Sequence, residues 1–543
     1  MKYILKLTTT AVLSAALFSG CIKETFPTDG ATADQLAQSP TALLSMVNAI
    51  PTAMIAFNST GAGSSGFHWD FGYPSVMLAL DAMCEDMPVM GEAGYDWFAS
   101  FAVNNGLAYI YYPCIIGWDN YYPWIMSCND VIELVKGTKN ATLGMAYAYR
   151  AKFYLDLARM YRYKEHKYLP TPVYDNAPIT NLTVPIVTED TTEEMAAENP
   201  RATVEEIFEF ILTDLKNAEE CLADYSRPDK SKPDLSVVYG LMARTYLELS
   251  QDKESAAENF RQAALYARKA IAASGCTPLT QSQWEDENNG FNNMASNNAW
   301  MWGLKQAREN VNNLLNYVAF LSSEQNWMGY GSDVHYGINR ALYESIPNSD
   351  FRKHSWLDPN RSFYDYRTCN TQEVLDKMPD YTNIKFRPMG GELFDYKSGG
   401  ATDIPIMRVE EMYLIEAEAA GYANLGEGKR LLTEFMRYRM TDGSYNCAGI
   451  TSFEEFQLEV IRQKRIEFWG EGIIYFDYKR LELGITRGYP GTNHQPDYRL
   501  NAEKVAPWWN FCITIGEIQN NRGIPAEANN PDPSGLISPW NGQ

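Results

Sequence analysis

Apolar residues recur at helical spacing along most of this chain, and the clearest run lies between Pro405 and Leu483. Four apolar positions there stand at i, i+4, i+8 and i+11: Val409, Tyr413, Ala417 and Ala420. This spacing predicts an α-helix with one buried face. On the other side of that helix, Arg408 and Glu411 are three residues apart and are expected to form an ion pair.

The end of the same stretch carries helix start and stop signals. Ser452, followed three residues later by Glu455, predicts a capping box at the start of the last long helix. Gly470 and Gly472 then interrupt the apolar pattern, because glycine is unfavourable within a helix. We therefore predict that Ile473–Leu483 is a separate helix.

Two segments repeat almost the same pattern. Tyr147–Leu157 reads YAYRAKFYLDL and Tyr239–Leu249 reads YGLMARTYLEL, and Tyr413-Leu414 is a third, shorter echo. Thr203–Ala223 and Glu254–Ala273 are helix-prone and would serve as partner helices for the second copy. Small alanines between larger tyrosines and leucines are typical of stacked helix pairs, so the pattern favours a tetratricopeptide-like array with large insertions. The alternative is a coincidental Tyr-Leu pair in unrelated helices.

The fold class predicted is therefore mostly α, with a single domain over residues 39–543. Helical repeats are expected over about 119–274 and 405–483, and loop-rich segments over about 61–118 and 275–403, where Gly, Asn, Ser and aromatic residues dominate. Loops set on a rigid scaffold are where binding residues concentrate. Further helices are predicted at Pro40–Ile55, Met77–Met87 and Asp119–Lys136.

Composition narrows the functional class. The 543-residue chain has a formal net charge of −22, which argues against a nucleic-acid partner, since such proteins carry a basic surface. Aromatic residues make up 13% of the chain, and aromatic planes suit both a core and the flat faces of sugars. The cysteines are scattered without a CxxC motif, and no HExxH, GxSxG or GxxxxGK motif occurs. No metal site and no cofactor is predicted.

Residues 1–20 have the pattern of a targeting segment, with a positively charged start and a short apolar run at Ala11–Phe18. The sequence Leu-Phe-Ser-Gly-Cys ends at Cys21 and looks like a bacterial lipobox. We predict a lipoprotein signal peptide, lipidation of Cys21 and a tether over 21–38. The alternative is a plain secretory signal with an incidental cysteine.

The C-terminal stretch resembles the signature of the SusD/RagB family, surface lipoproteins that serve nutrient uptake in Bacteroidetes. Two groups of residues match that signature: Pro405, Arg408, Glu411, Tyr413, Leu414, Ala417, Glu418 and Ala419, and then Arg465, Glu467, Glu471, Gly472, Asp477 and Arg480. The chain departs from the signature at Ile474, where the family has Arg, and at Thr514–Glu517, where two prolines are missing.

This resemblance implies an outer-membrane, lipid-anchored protein that faces the cell exterior. Such a protein would capture an oligosaccharide and deliver it to a SusC-like TonB-dependent transporter. Two other readings stay open: a peptide as the ligand, as in RagB-like members, or a helical scaffold that binds only protein. The resemblance also implies that the ligand lies between the N-terminal loops and the middle insertion.

Sugar rings offer an apolar CH face, which aromatic planes cover, and a rim of hydroxyls, which amides and carboxylates bind. The loops contain such side chains, and we predict a ligand platform that contains Trp69, Asp70, Trp97, Trp302, Asn326, Trp327 and Tyr330. The alternative for each tryptophan is packing under a long loop.

An enzyme is not predicted. Glycoside hydrolysis needs two carboxylates at a defined separation, and acidic clusters do occur at residues 81–86 and 285–287. With so many acidic residues, however, such clusters are expected on a solvated face. A cation bound in the Asp- and Asn-rich loop at Glu285–Asn289 is a weaker alternative.

Overall fold

The computed structural model describes residues 33–57, 68–90, 98–312, 314–363 and 371–542. The chain divides into two compact units, residues 1–45 and 46–543. The described part of the first contains the helix Ala33–Ala37 and the beginning of a helix at Pro40. All other elements lie in the second unit. In the described ranges, no helix combines the length and apolar character needed to cross a membrane.

The main helices lie close to the predicted positions. They are α1 (Pro40–Ala53), α2 (Tyr73–Ala82), α3 (Tyr112–Val135), α4 (Ala141–Tyr161), α5 (Val204–Leu222), α6 (Leu235–Leu249), α7 (Ala256–Ser274), α8 (Val409–Ala423), α9 (Leu425–Met436), α10 (Phe453–Glu467) and α11 (Ile474–Arg480). Helix α3 begins before the predicted Asp119, because Pro113 stands in its first turn, where the missing N–H of proline has no cost.

Short elements fill the segments between the main helices. In the part of the chain that the structure describes, six strands form three antiparallel pairs: β1 (Val173–Tyr174) with β2 (Ala177–Pro178), β3 (Trp300–Leu304) with β4 (Ile404–Arg408), and β5 (Ile485–Thr486) with β6 (Asn501–Ala502). The short α-helices are Ala99–Ala102, Glu193–Ala196, Gln281–Trp284, Tyr317–Leu321, Gly331–Val334, Arg340–Ser345, Gln372–Lys377, Tyr396–Gly399 and Ile515–Asn520. Single 3₁₀ turns lie at Ile179–Asn181, Arg308–Asn310, Phe351–Ser355, Met389–Gly391, Pro496–Tyr498, Pro507–Trp509 and Ala526–Ala528.

The main helices stack in chain order. Helix α3 packs on α4, α4 on α5, α5 on α6, α6 on α7, α7 on α8, and α8 on both α9 and α10. The small residues of the repeat, Ala151 and Ala243, are buried within this stack. This succession is that of a helix-pair array, and it confirms the predicted mostly helical, tetratricopeptide-like class.

The start of the C-terminal stretch differs from the prediction. Pro405 does not open a helix, because Ile404–Arg408 is a strand that pairs with Trp300–Leu304, a segment predicted to be a loop. Both strands are buried along their whole length. A short, continuous apolar run such as Trp-Met-Trp-Gly-Leu suits a strand covered on both faces.

The predicted ion pair between Arg408 and Glu411 is wrong. Arg408 has extended backbone and ends strand β4, so the helical i, i+3 geometry does not apply to it. Its guanidinium instead binds Glu467 at 3.0 Å and Glu471 at 2.8 Å. Glu411 accepts two hydrogen bonds from Arg244 on α6, at 2.7 and 2.5 Å, and so ties α8 to the repeat scaffold.

A buried ionic cluster explains why the C-terminal stretch is so rich in charge. Glu467 accepts hydrogen bonds from Arg439 at 2.8 Å, from Arg408 at 3.0 Å and from Arg352 at 3.1 Å. All four side chains are inaccessible to solvent. Burial alone would raise the pKa of Glu467, but these guanidiniums hold it well below its usual range. The stretch is therefore an architectural centre that joins several elements.

The end of the stretch is as predicted. Ser452 and Glu455 form the capping box of α10, which confirms that prediction. Gly470 and Gly472 have φ angles of 82° and 68°, which L side chains rarely adopt, so they separate α10 from α11. Ile474, the departure from the signature, is buried at the start of α11.

Candidate ligand-binding site

A cavity of about 400 Å³ lies in the loop-rich middle segment. Residues between Ser323 and His335 form most of its lining, and Val374, Lys377 and Met378 complete it. The volume is in the range of small-molecule sites. The loop that lines the cavity follows the buried helix Tyr317–Leu321, which gives it a fixed base.

The carboxamide of Gln325 holds this loop from inside. Its Oε1 accepts hydrogen bonds from the N–H groups of Trp327 at 3.2 Å and Gly329 at 3.0 Å. Its Nε2 donates to the carbonyl of Gly329 at 2.8 Å. Gln325 is buried, so these bonds are shielded from water. The loop is therefore pre-organised rather than free to adapt.

Met328, between the two residues that Gln325 holds, points outward. Its φ angle is 68° and its side chain is 81% exposed. A left-handed conformation costs a non-glycine residue about 1–2 kcal/mol. Such strain is concentrated at functional sites, where the surrounding structure enforces it. The exposed thioether of Met328 belongs to the lining of the cavity.

Several polar atoms at the cavity have no hydrogen-bond partner within the described part of the chain. They are Ser323 Oγ and His335 Nδ1, both of lining residues, and the neighbouring Trp327 Nε1. Burial lowers the pKa of His335, so its ring is neutral at pH 7. Buried polar atoms without partners are uncommon in native proteins. Each of these atoms has almost no accessible surface, so a ligand reaches them only after a side chain of the lining moves.

The N-terminal loop and the middle insertion meet beside this cavity. His68 is hydrogen-bonded to the hydroxyl of Tyr330. Phe71 lies 5.4 Å from Phe320, ring centre to ring centre, and Phe320 stacks on Tyr330 at 4.7 Å. The two segments from which the sequence analysis drew most of its platform residues are thus neighbours.

The predicted platform residues lie in different environments. Asn326 is exposed and lines the cavity, and Tyr330 is half-buried next to it. Trp327 is only 8% exposed, because its ring packs against Gly399. Trp97 of the predicted platform lies outside the described residues, as does the predicted lipidation site Cys21.

Three other predicted residues offer no surface in this structure. Trp69 and Asp70 are buried. Trp302 is 0% exposed, because it lies in strand β3 with its ring 5.3 Å from that of Tyr149. As placed, these three side chains support the fold beneath the loops, and we do not assign them to the ligand contact.

The acidic clusters have structural partners. Gly472 donates its N–H to Asp81, whose pKa burial raises to about 8. Asp86 accepts two hydrogen bonds from Arg465, at 2.8 and 2.6 Å. In the other cluster, Glu285 bonds the His354 ring at 2.5 Å. No group of three or more His, Cys, Asp or Glu side chains within the described ranges is placed to hold a metal ion.

Two other cavities of comparable size differ from the 400 Å³ cavity in the hydrogen-bond partners of the polar side chains that line them. One of about 530 Å³ is lined by Arg465 and Tyr489, among others, and one of about 430 Å³ by Glu198. The guanidinium of Arg465 already binds Asp86, and Tyr489 donates to Asn339 at 2.7 Å. None of the buried unpartnered polar atoms of the described residues belongs to the lining of either cavity. The 400 Å³ cavity is therefore the better candidate.

Sequence reasoning missed Ser323, Gln325, Met328 and His335. It weighted tryptophans, whereas the lining is built mainly from polar side chains together with two methionines, Met328 and Met378. One signal was present: a Ser-Ser-Glu-Gln-Asn run directly precedes Trp-Met-Gly. Polar residues next to a glycine-containing turn indicate a shaped loop, although they do not say which side chain stays exposed.

The stacked helix pairs with long loops inserted between them define a class of helical-repeat proteins. A family model described as "Starch-binding associating with outer membrane" matches residues 73–247, and one described as "SusD family" matches residues 323–522. Together the matches span more than half of the chain. The chain belongs to the SusD/RagB family. Among curated proteins, none matches it.

Solved structures share the fold. A SusD-like carbohydrate binding protein from Bacteroides vulgatus is 22% identical, with a TM-score of 0.68, over 90% of this chain and 97% of its own. A SusD superfamily protein from Bacteroides thetaiotaomicron is 18% identical, with a TM-score of 0.64, over 90% and 99%. Surface glycan-binding protein A from the same species, in complex with laminarihexaose, is 16% identical, with a TM-score of 0.61, over 90% and 99%.

Proposed function

We propose that this protein binds an oligosaccharide at the cell surface, in the 400 Å³ cavity lined by Ser323–His335 and its neighbours. The observation that carries the proposal is the set of unpartnered polar atoms at this cavity, Ser323 Oγ and His335 Nδ1. The exposed amide of Asn326 can bond sugar hydroxyls directly, and further hydroxyls can donate and accept at Ser323 and His335 once a lining side chain moves aside. Membership of the SusD/RagB family supports a binding role rather than catalysis.

The chemistry of the lining suits a sugar. Hydroxyls, amides and a neutral imidazole bind the hydroxyl rim, while Met328 and the half-buried Tyr330 offer apolar surface to the CH face. A pre-organised loop limits the entropy lost on binding. The similarity in fold to a glycan-binding protein solved with laminarihexaose is in keeping with this reading.

The finer part of the proposal concerns location and delivery. Cys21 would carry the lipid anchor at the outer membrane, since several acyl chains bind a bilayer stably. The helical scaffold would dock on a SusC-like TonB-dependent transporter and pass the ligand inward. Loss of membrane association in a Cys21→Ala variant, and co-purification of the wild-type lipoprotein with such a transporter, are the expected results.

The binding proposal is tested by calorimetric titration of a glycan panel and a peptide panel against wild type and an Asn326→Ala/Ser323→Ala variant. We expect at least one oligosaccharide to bind, and its affinity to fall about tenfold or more in the variant. If only peptides bind, the ligand of this protein is a peptide and the glycan proposal is wrong. If the protein co-purifies with a transporter but binds no member of either panel, the result would favour a helical scaffold that binds only protein.

A further inference from the structure

Two apolar side chains stand exposed on neighbouring loops: Met328 lines the cavity, and Phe394 lies on the loop bonded to it. Met328 is 81% exposed and Phe394 is 71% exposed, the two highest values among the large apolar residues of the described ranges. The loops that carry them are joined, because the N–H of Asn326 donates to the carbonyl of Leu393 at 2.8 Å. We infer that Met328 and Phe394 contact the ligand and that this ligand is an uncharged saccharide. The inference rests on the proposed function.

The exposure of Met328 is enforced by the structure around it. The residues before and after it are both held by Gln325 Oε1, so the backbone cannot turn the side chain inward without losing buried hydrogen bonds. Trp327 is fixed as well, because its ring packs against Gly399, at the end of the short helix that follows Phe394. Backbone strain and exposed apolar surface both concentrate at binding sites. The exposed Met328 side chain adjoins a cavity with unpartnered polar atoms, which favours a role in ligand contact.

Phe394 is presented in a similar way. The carboxylate of Glu392 accepts hydrogen bonds from the N–H groups of Phe394 at 2.8 Å and Asp395 at 3.1 Å, which fixes the turn that carries the ring. An aromatic ring and a polarisable thioether are both suited to the apolar CH face of a sugar ring. The hydroxyls at the edge of the same ring would reach Ser323 and Asn326.

The charges of the lining indicate the class of saccharide. The lining contains one acidic residue, Asp333, and one basic side chain, Lys377, which pairs with Glu373 at 3.0 Å. Among its described residues there is no arginine, the residue that binds carboxylate and sulfate groups in a bidentate manner. The chain as a whole carries a formal charge of −22, which repels a polyanion at long range. Uronate-rich and sulfated glycans are therefore disfavoured, and neutral glycans fit.

The test compares Met328→Ala and Phe394→Ala with two matched controls, Met195→Ala and Leu458→Ala. The control side chains are also exposed, at 57% and 53%, and do not line this cavity. Neutral oligosaccharides and oligogalacturonates are titrated into each protein by calorimetry. We expect wild type to bind a neutral oligosaccharide, each test variant to bind it about five- to tenfold more weakly, and the controls to match wild type.

The outcomes separate this inference from the proposed function. If wild type binds a neutral oligosaccharide and both test variants match the controls, the contact residues are wrong while glycan binding stands. If wild type prefers an oligogalacturonate, the assignment of an uncharged ligand is overturned. If no saccharide binds wild type, the proposed function fails. Circular dichroism of each variant confirms that a loss of affinity is not a loss of fold.

Discussion

The carboxamide of Gln325 makes hydrogen bonds to both backbone groups of Gly329, at 3.0 Å to its N–H and at 2.8 Å to its carbonyl. This pair of bonds closes the loop that presents Met328. A buried side-chain amide thus does what a β-sheet partner does elsewhere, because it satisfies the backbone of a segment that has no regular structure. The shape of the candidate site depends on it.

Replacing Gln325 by leucine should disorder this loop, since the N–H and carbonyl of Gly329 lose buried partners. We expect hydrogen exchange over residues 325–330 to accelerate and ligand affinity to fall about tenfold or more. The control is Gln262→Leu, on the exposed face of α7, where the lost hydrogen bond to Glu258 is in water. Unchanged exchange in the Gln325 variant would show that the amide does not hold the loop.

Ser323→Ala should separate binding from stability. The Ser323 hydroxyl is buried without a partner among the described residues, so its removal should change the free energy of unfolding by less than about 0.5 kcal/mol. Affinity should fall severalfold, because the ligand loses a hydrogen bond. The matched control is Ser355→Ala, which removes a buried hydroxyl that accepts from Trp284 at 2.9 Å. That variant should lose about 1 kcal/mol of stability without losing affinity.

Glu467→Gln should destabilise the whole scaffold. The substitution leaves Arg439, Arg408 and Arg352 buried around a neutral amide, and breaking a buried pair costs about 3–5 kcal/mol. Urea denaturation measures the effect. Glu454→Gln, on the exposed side of the first turn of α10, should stay within about 0.5 kcal/mol of wild type. Equal stability of the two variants would contradict the role of the cluster.

The buried carboxyl of Asp81 should make the free energy of unfolding fall as the pH rises. Burial raises the pKa of this carboxyl to about 8, well above the ordinary value for Asp, so the folded chain holds its proton more tightly than the unfolded chain. Its contribution to stability is fully present below about pH 4 and is lost as the pH rises towards 8. In Asp81→Asn, which keeps an acceptor for Gly472, urea midpoints should vary less than in wild type between about pH 4 and 8. An unchanged pH profile would show that Asp81 is ionised in the folded protein.

Local signals in the sequence predicted local structure well. The capping box of Ser452 and Glu455 depends on residues three apart, and the repeat in α4 and α6 depends on helical spacing, so both were readable. The pairing of β3 with β4 was not, because Trp300 and its partner Arg408 are distant in the chain. The partners of Arg408 were missed for the same reason: Glu467 reaches it only through the tertiary fold.

The candidate site was located by segment but not by side chain. The unusual composition around Asn326, Trp327 and Tyr330 pointed to the loop that lines the 400 Å³ cavity, because polar and aromatic residues seldom mix in a helix core. Which residues stay exposed depends on packing. Trp302 is covered by Tyr149, whereas Met328 is held outward by Gln325, and neither relationship leaves a trace in the local sequence.

The central claim is that the cavity beside Met328 binds the glycan. A crystal structure of the protein with a neutral oligosaccharide identified in the panel tests it most directly. We expect electron density for the sugar against Met328, with hydroxyls within hydrogen-bond distance of Ser323 Oγ and Asn326. Density for the sugar elsewhere, for instance in the 530 Å³ cavity lined by Arg465 and Tyr489, with the Met328 cavity unoccupied, would contradict the account.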